Sequence, residues 1–312
     1  MGDTRSFLET IGLPRGDLGS LPDSPDRFAD GTSFRFEIPS TEGPRCLEAV
    51  LEEAARRDVP VHRVSQGSGS FLLTDDELDE MARLAADAGV EVSLFAQPTA
   101  AWVPSASARI EGSAGVGSAS YGQEGIVFAL DDIKRTAEHG IRSVLITDVG
   151  LLSAFQAMRQ AGELPRDMRA KMSVAFPTAN PATARVLAGL GADSINVVSD
   201  LTLPQIASIR AAVHVPIDFY VESPDALGGF VREYELPELI RVAAPLYVKF
   251  GLRNAPNLYP SGTHLESTAV ALSRERVRRA QLALEMLQRN GVDVETSKPG
   301  APDLAVPVPS DE

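Results

Sequence analysis

Short apolar segments with strand character alternate eight times with amphipathic helical segments along this chain, and that alternation leaves few architectures open. Parallel strands need a long return connection between them, and a helix packed on the sheet supplies it. Eight such units in about 250 residues close on themselves. The expectation is an α/β fold of the (β/α)8 TIM-barrel class, with its working end at the carboxyl ends of the strands.

Alternation of period 2 and period 3.6 places strands at 34–40, 59–66, 90–97, 141–148, 170–176, 194–198, 215–222 and 246–250. Helices fall at 43–58, from Thr74 onward, and at 127–139, 151–161, 180–189, 203–213, 226–243 and 266–290. Thr74 with Glu77 three residues on forms a capping box, and Gly140 ends a helix. The last helix presents Val277, Leu282, Leu284 and Leu287 as a stripe expected to pack on the barrel. Residues 1–32, rich in Gly, Pro, Asp and Ser, read as an arm with Leu18, Leu21 and Phe28 as anchors. Residues 33–291 form the barrel, and 292–312, with several prolines and acids, read as a flexible tail. With 312 residues and 44% hydrophobic content, the chain supports one full core in one domain.

Strand parity separates inside from outside. In the seventh strand Asp218, Tyr220 and Glu222 alternate with Ile217, Phe219 and Val221, so the polar set points into the barrel. The eighth places Tyr247 and Lys249 inward, and the first Arg35 and Glu37. These strands are neighbours in a closed barrel, so Lys249, Glu37 and Glu222 are expected to converge as the catalytic cluster, with Asp148 at the end of the fourth strand. A lysine among apolar groups loses its proton and can attack a carbonyl; one paired with a carboxylate stays charged and polarises an oxygen. Both readings stand for Lys249.

Other polar residues fall at strand ends. Arg63, Gln66, Asn196, Ser199, Arg253 and His264 are expected to line a substrate pocket, with Arg63 and Arg253 suited to an anion. Gly228 and Gly229, after the seventh strand, offer backbone amides where barrels often hold phosphate. The glycine-rich stretch from Glu111 to Gly122 lacks a phosphate-loop signature and reads as a lid over the mouth. Two or three carboxylates could hold Mg²⁺ or Mn²⁺. Zinc is not expected, since His62, His139, His214 and His264 show no ligand spacing, and Cys46, the single cysteine, reads as a buried thiol.

The formal net charge of −14 and the lack of a basic run argue against a nucleic-acid partner. No window reaches the roughly 20 apolar residues needed to cross a bilayer, so no membrane association and a cytoplasmic location are expected. The oligomeric state is open between monomer and homo-oligomer.

Across residues 120–255 the chain resembles the peptidase U32 family, on Tyr121-Gly-Gln-Glu-Gly-Ile-Val-Phe, Leu145-Ile-Thr-Asp-Val-Gly, Gly191-Ala-Asp-Ser-Ile-Asn-Val-Val-Ser-Asp and Pro216-Ile-Asp-Phe-Tyr-Val-Glu-Ser-Pro. Members include collagenase-type peptidases and proteins of oxygen-independent hydroxylation that hold an iron–sulfur cluster on four cysteines. One cysteine cannot do that, so no cluster is expected, and no Ser-His-Asp or Cys-His arrangement supports peptide hydrolysis. The resemblance implies the barrel and its site location, with Asp148, Asn196 and Glu222 inside the matching segments.

The reading that follows is an enzyme acting on a small anionic carbonyl or carboxylate metabolite by lyase, aldolase-like, or isomerase chemistry. Lys249 polarises or condenses with the carbonyl, Glu222 or Glu37 moves the proton, and Arg63, Arg253 and the 228–229 amides hold the anion. A U32-type hydrolase and a non-catalytic binding or assembly barrel are the alternatives.

Overall fold

The computed structural model describes residues 3–106 and 117–309, and in it eight parallel strands pair in chain order into a closed barrel. The strands are β1 (Phe34–Pro39), β2 (Arg63–Ser65), β3 (Glu91–Phe95), β4 (Ser143–Ile146), β5 (Arg169–Met172), β6 (Ser194–Asn196), β7 (Ile217–Glu222) and β8 (Leu246–Phe250). β1 closes on β8, with Glu37 beside Lys249, and on β2, with Glu37 beside Arg63. Most ladders are shorter than the apolar runs that signal them. The lid expected from Glu111 lies largely outside the described residues.

Outward-facing side chains fuse with the helices into the main core. Phe34, Phe36 and Ile38 of β1, Ile217, Phe219 and Val221 of β7, and Leu246, Val248 and Phe250 of β8 are all buried within it. Each contributes on the order of 1.5–3 kcal/mol by leaving water. The helices around them are α2 (Pro44–Arg57), α3 (Asp75–Ala88), α4 (Gly122–Glu138), α5 (Val149–Ala161), α6 (Pro181–Gly189), α7 (Leu203–Arg210), α8 (Leu236–Ala243) and α9 (Glu266–Arg289), after a short α1 (Thr4–Thr10) in the arm. The capping box of Thr74 and Glu77 opens α3 as expected. Cys46 is buried in α2, and burial pushes its thiol up. Among the described residues, no helix is long and apolar enough to cross a membrane.

Two helical expectations are corrected. The helix at 226–243 is two 3-10 turns, Asp225–Leu227 and Glu233–Glu235, followed by α8. Gly228 and Gly229 take φ values of 95° and 63°, left-handed conformations that end a helix. In α9 the buried face is Ala269, Ser273, Arg276, Val277, Ala280, Ala283 and Leu287, while Leu282 is exposed. Small residues carry that stripe because α9 lies close over α2 and β1.

The segment read as a flexible tail lies against the amino-terminal end of the barrel. Thr296 bridges to Phe34, the amide of Gly300 donates to the carbonyl of Gly89, and that of Val308 to Gly140. Phe28 from the arm packs with Tyr247, Ala301 and Leu304, and Arg35 stacks 3.9 Å over Phe28 while donating to Asp303. Phe28 of the arm and the segment 296–308 therefore close the barrel floor.

His62 joins this floor to β1. Its Nδ1 accepts from the Phe36 amide at 3.0 Å and its Nε2 faces the Ser297 carbonyl at 2.6 Å, which assigns the neutral Nε2–H tautomer. Burial pushes its pKa down to about 4. The folded protein keeps His62 neutral while the unfolded chain binds a proton near pH 6.5, so stability is full above that pH and falls toward pH 4. The expected loss is about 3 kcal/mol between pH 7 and pH 4 in excess of that of a His62→Gln variant, read from urea unfolding of both across the range. Equal pH slopes would contradict this.

Candidate active site in the barrel interior

Five charged side chains from five strands meet inside the barrel. Glu37 of β1 accepts from Arg63 Nε at 2.7 Å, from Lys249 Nζ at 3.0 Å, from Ser65 Oγ at 2.6 Å and from Lys171 Nζ. Arg63 also donates to Asp218, and Lys171 lies 3.5 Å from the same carboxylate. Lys171 reaches across the bore, since β5 stands opposite β1 in the strand order. All five side chains are at most 2% exposed.

Aromatic rings and amides line the cluster. Arg63 stacks 3.5 Å over the Tyr247 ring, and Lys249 Nζ sits 4.3 Å from the Tyr220 centroid. Asn196, its amide turned to satisfy both neighbours, donates to the Asp218 carbonyl and accepts from Lys249 at 2.8 Å. Ser194 donates to Asp218 at 3.2 Å.

Electrostatics split the two lysines that share Glu37. For Lys171, burial and then the Arg63 charge outweigh Asp218 and Glu37, and the pKa is pushed down to about 7. For Lys249 burial also opposes the charge, but Glu37, Tyr220 and Asp218 overcome it and hold the ammonium above its ordinary range. Burial alone would raise Glu37; Arg63, Lys171 and Lys249 together hold its carboxyl well below the usual range. The arrangement therefore provides a carboxylate, a fixed ammonium and an amine that loses its proton near neutrality.

Glu37 and Lys249 thus come together as the strand parity implies, Arg63 and Asn196, expected at the pocket from strand ends, lie beside them, and the remaining residues fall elsewhere. Glu222 does not join them. The β7–β8 register shifts between Tyr220 and Glu222, which turns Glu222 toward α9, where it accepts from Arg279 at 2.8 Å and from the Arg253 amide at 2.9 Å. Asp148 caps α5, accepting from the Leu151 amide at 2.8 Å, and also takes the Ser120 amide at 3.1 Å. Gln66 braces its own loop through both Gly69 backbone groups.

The expected anion cradle is also used internally. The amides of Gly228 and Gly229 donate to the Asp225 and Pro224 carbonyls, and no α-helix begins there. Arg253 is exposed beside Asp225, His264 is exposed, and Ser199 is buried with its hydroxyl unpartnered among the described residues. Among the described residues no group of three or more His, Cys, Asp or Glu side chains is arranged to hold a metal ion. The oxygens of Glu37 and Asp218, the pair nearest the Mg²⁺ or Mn²⁺ expectation, face Arg63 and Lys171.

Lys171 and Asp218 complete the cluster without having been singled out as site residues. Asp218 is already on the inward set of β7, and Lys171 lies between Ala170 and Met172, the same alternation that marks Lys249. Below the cluster a cavity of about 110 Å³ is lined by Arg63, Ser143, Arg169, Lys171, Ser194 and Tyr247, among others. Ser143, Arg169 and Ser194 are first residues of their strands, so this cavity lies at the amino-terminal end.

No protein-family model matches the chain, and no curated protein matches it. Solved structures align with it over most of its length at low identity. A truncated 3-deoxy-D-arabino-heptulosonate 7-phosphate synthase from Thermotoga maritima is 15% identical over 88% of this chain and 95% of its own, with a TM-score of 0.46. A dimeric archaeal Rubisco from Hyperthermus butylicus is 14% identical over 92% of this chain and 72% of its own, at 0.47. A U32 peptidase is 16% identical over 74% of this chain and 98% of its own, at 0.44. The U32 peptidase stands on the same footing as the other two, and at identities of 14% to 16% nothing about family, reaction or substrate passes from these proteins to this chain.

Proposed function

We propose that the chain is a barrel lyase that acts on a small anionic carbonyl metabolite through an imine on a buried lysine. The observation that carries this reading is the pairing of Lys171 and Lys249 on one buried carboxylate, where burial and the Arg63 charge push Lys171 down while Glu37, Tyr220 and Asp218 hold Lys249 up. Lys171 takes the covalent role, one of the readings left open for Lys249: its neutral amine adds to the carbonyl carbon, and the carbinolamine oxygen leaves as water once protonated. Asp218, 3.5 Å from that amine, moves the proton, while Lys249 stays charged and polarises the carbonyl oxygen.

A second reading has its own support. A fully buried, mutually satisfied network also suits a non-catalytic barrel whose bore is filled by side chains. One experiment separates them. Incubation with pyruvate and other 2-keto acids in the presence of borohydride, followed by peptide mass spectrometry, is expected to place a reduced adduct on Lys171, with none on Lys249 and none in a Lys171→Met variant. No adduct with any keto acid or aldehyde supports the filled barrel, and an adduct confined to Lys249 reverses the roles of the two lysines.

A further inference from the structure

Arg276 is a buried cation two of whose nitrogens find no acceptor among the described residues. It lies on the inner face of α9, 2% exposed, with Nε and Nη1 out of contact with solvent and without an acceptor. The buried arginines 35, 63, 210 and 232 each donate to at least one acceptor. Leaving a guanidinium dry and unmatched is costly, so such a group is retained where something completes it.

Its position says what that is. Arg279, three residues further along α9, reaches Glu222 at the end of β7, so Arg276 stands about 4.5 Å higher along the helix, at the level of the mouth loops. The polar groups acting on it are Tyr259, Tyr220, Glu42 and Cys46. Tyr220 is the ring that covers Lys249, which links Arg276 to the charged cluster. Glu42 does not serve as its acceptor: the two Glu42 oxygens take the amides of Gly67 at 2.8 Å and Ser68 at 3.2 Å. The Tyr259 hydroxyl is bonded to Ser40.

We propose that Arg276 binds the carboxylate or phosphate of a small metabolite entering the carboxyl-terminal mouth, replacing Arg253 and the 228–229 amides as the anion anchor. This rests on the reading of the ligand as a small anionic metabolite, and it is tested without any covalent step. Thermal unfolding is followed against increasing pyruvate and inorganic phosphate for the wild type, Arg276→Met and Arg276→Lys. At least one anion is expected to raise the wild-type Tm saturably, by roughly 5 °C at a hundred times its Kd. A response to pyruvate alone assigns a carboxylate, and a response to phosphate alone assigns a phosphate.

Arg276→Met is expected to lose the response while its anion-free Tm equals or exceeds the wild type's, because a buried unmatched charge has been removed. Arg276→Lys, which keeps the charge, is expected to respond at least tenfold more weakly. A wild type indifferent to both anions, an undiminished response in the variants, or an anion-free Tm of Arg276→Met lower by several degrees would overturn the proposal. Loss of borohydride trapping with anion binding intact removes the imine and leaves Arg276 its role.

Discussion

Replacing Glu37 by alanine is expected to lower the unfolding free energy by about 4 kcal/mol or more, among the largest effects a single substitution produces. The carboxylate faces three cations inside the barrel. With it gone, Arg63 and Lys171 retain Asp218, but Lys249 keeps only the amide oxygen of Asn196 and the face of Tyr220. The penalty is that of stranding a buried ammonium, a different quantity from the worth of the network as a whole. A Glu37→Ala/Lys249→Met double variant is accordingly expected to recover at least about 1 kcal/mol of the loss, since contacting charges couple. Guanidinium unfolding followed by far-UV circular dichroism measures both, and a Glu37→Ala cost below about 1 kcal/mol would contradict a desolvated cluster.

The second large effect concerns protonation. Lys171 and Lys249 touch the same carboxylate, yet the Arg63 charge weighs more heavily on Lys171 than on Lys249, and burial falls on both. In a dry bore two ammonium groups and a guanidinium against two carboxylates leave one positive charge in excess, and the lysine with the less favourable surroundings gives up its proton. Because Lys249 is itself among the charges that depress Lys171, Lys249→Met is expected to move the Lys171 pKa upward.

How much of this was legible in the sequence follows from what each signal measures. Period-2 alternation reports which face of a strand is buried, and it located the barrel, the β1–β8 closure and the Glu37–Lys249 pair. The same rule covers Lys171 between Ala170 and Met172, although a four-residue strand makes the alternation brief. It fails at Glu222, because a register shift reverses side-chain direction and nothing local in Tyr-Val-Glu announces one. Asp148 sits where a strand meets a helix, a position that suits a helix cap as well as a catalytic acid, and its bond to the Leu151 amide decides for the cap. Composition reads residues 292–312 as a tail, since prolines and acids do not show that Ser297 and Asp303 have partners in Arg35 of β1 and His62 just before β2. Arg276 has no such signature, because a single arginine in an arginine-rich helix shows no period; its burial with two nitrogens lacking an acceptor among the described residues sets it apart.

The central claim is that two lysines on one carboxylate differ in protonation near neutral pH, and the most direct test is a titration of lysine side chains labelled at Cε, followed by NMR and assigned with Lys171→Met and Lys249→Met. The account predicts one buried resonance titrating near pH 7, absent from Lys171→Met, and a second that stays charged throughout the accessible range. Two buried lysines that both remain protonated to pH 10 would contradict it.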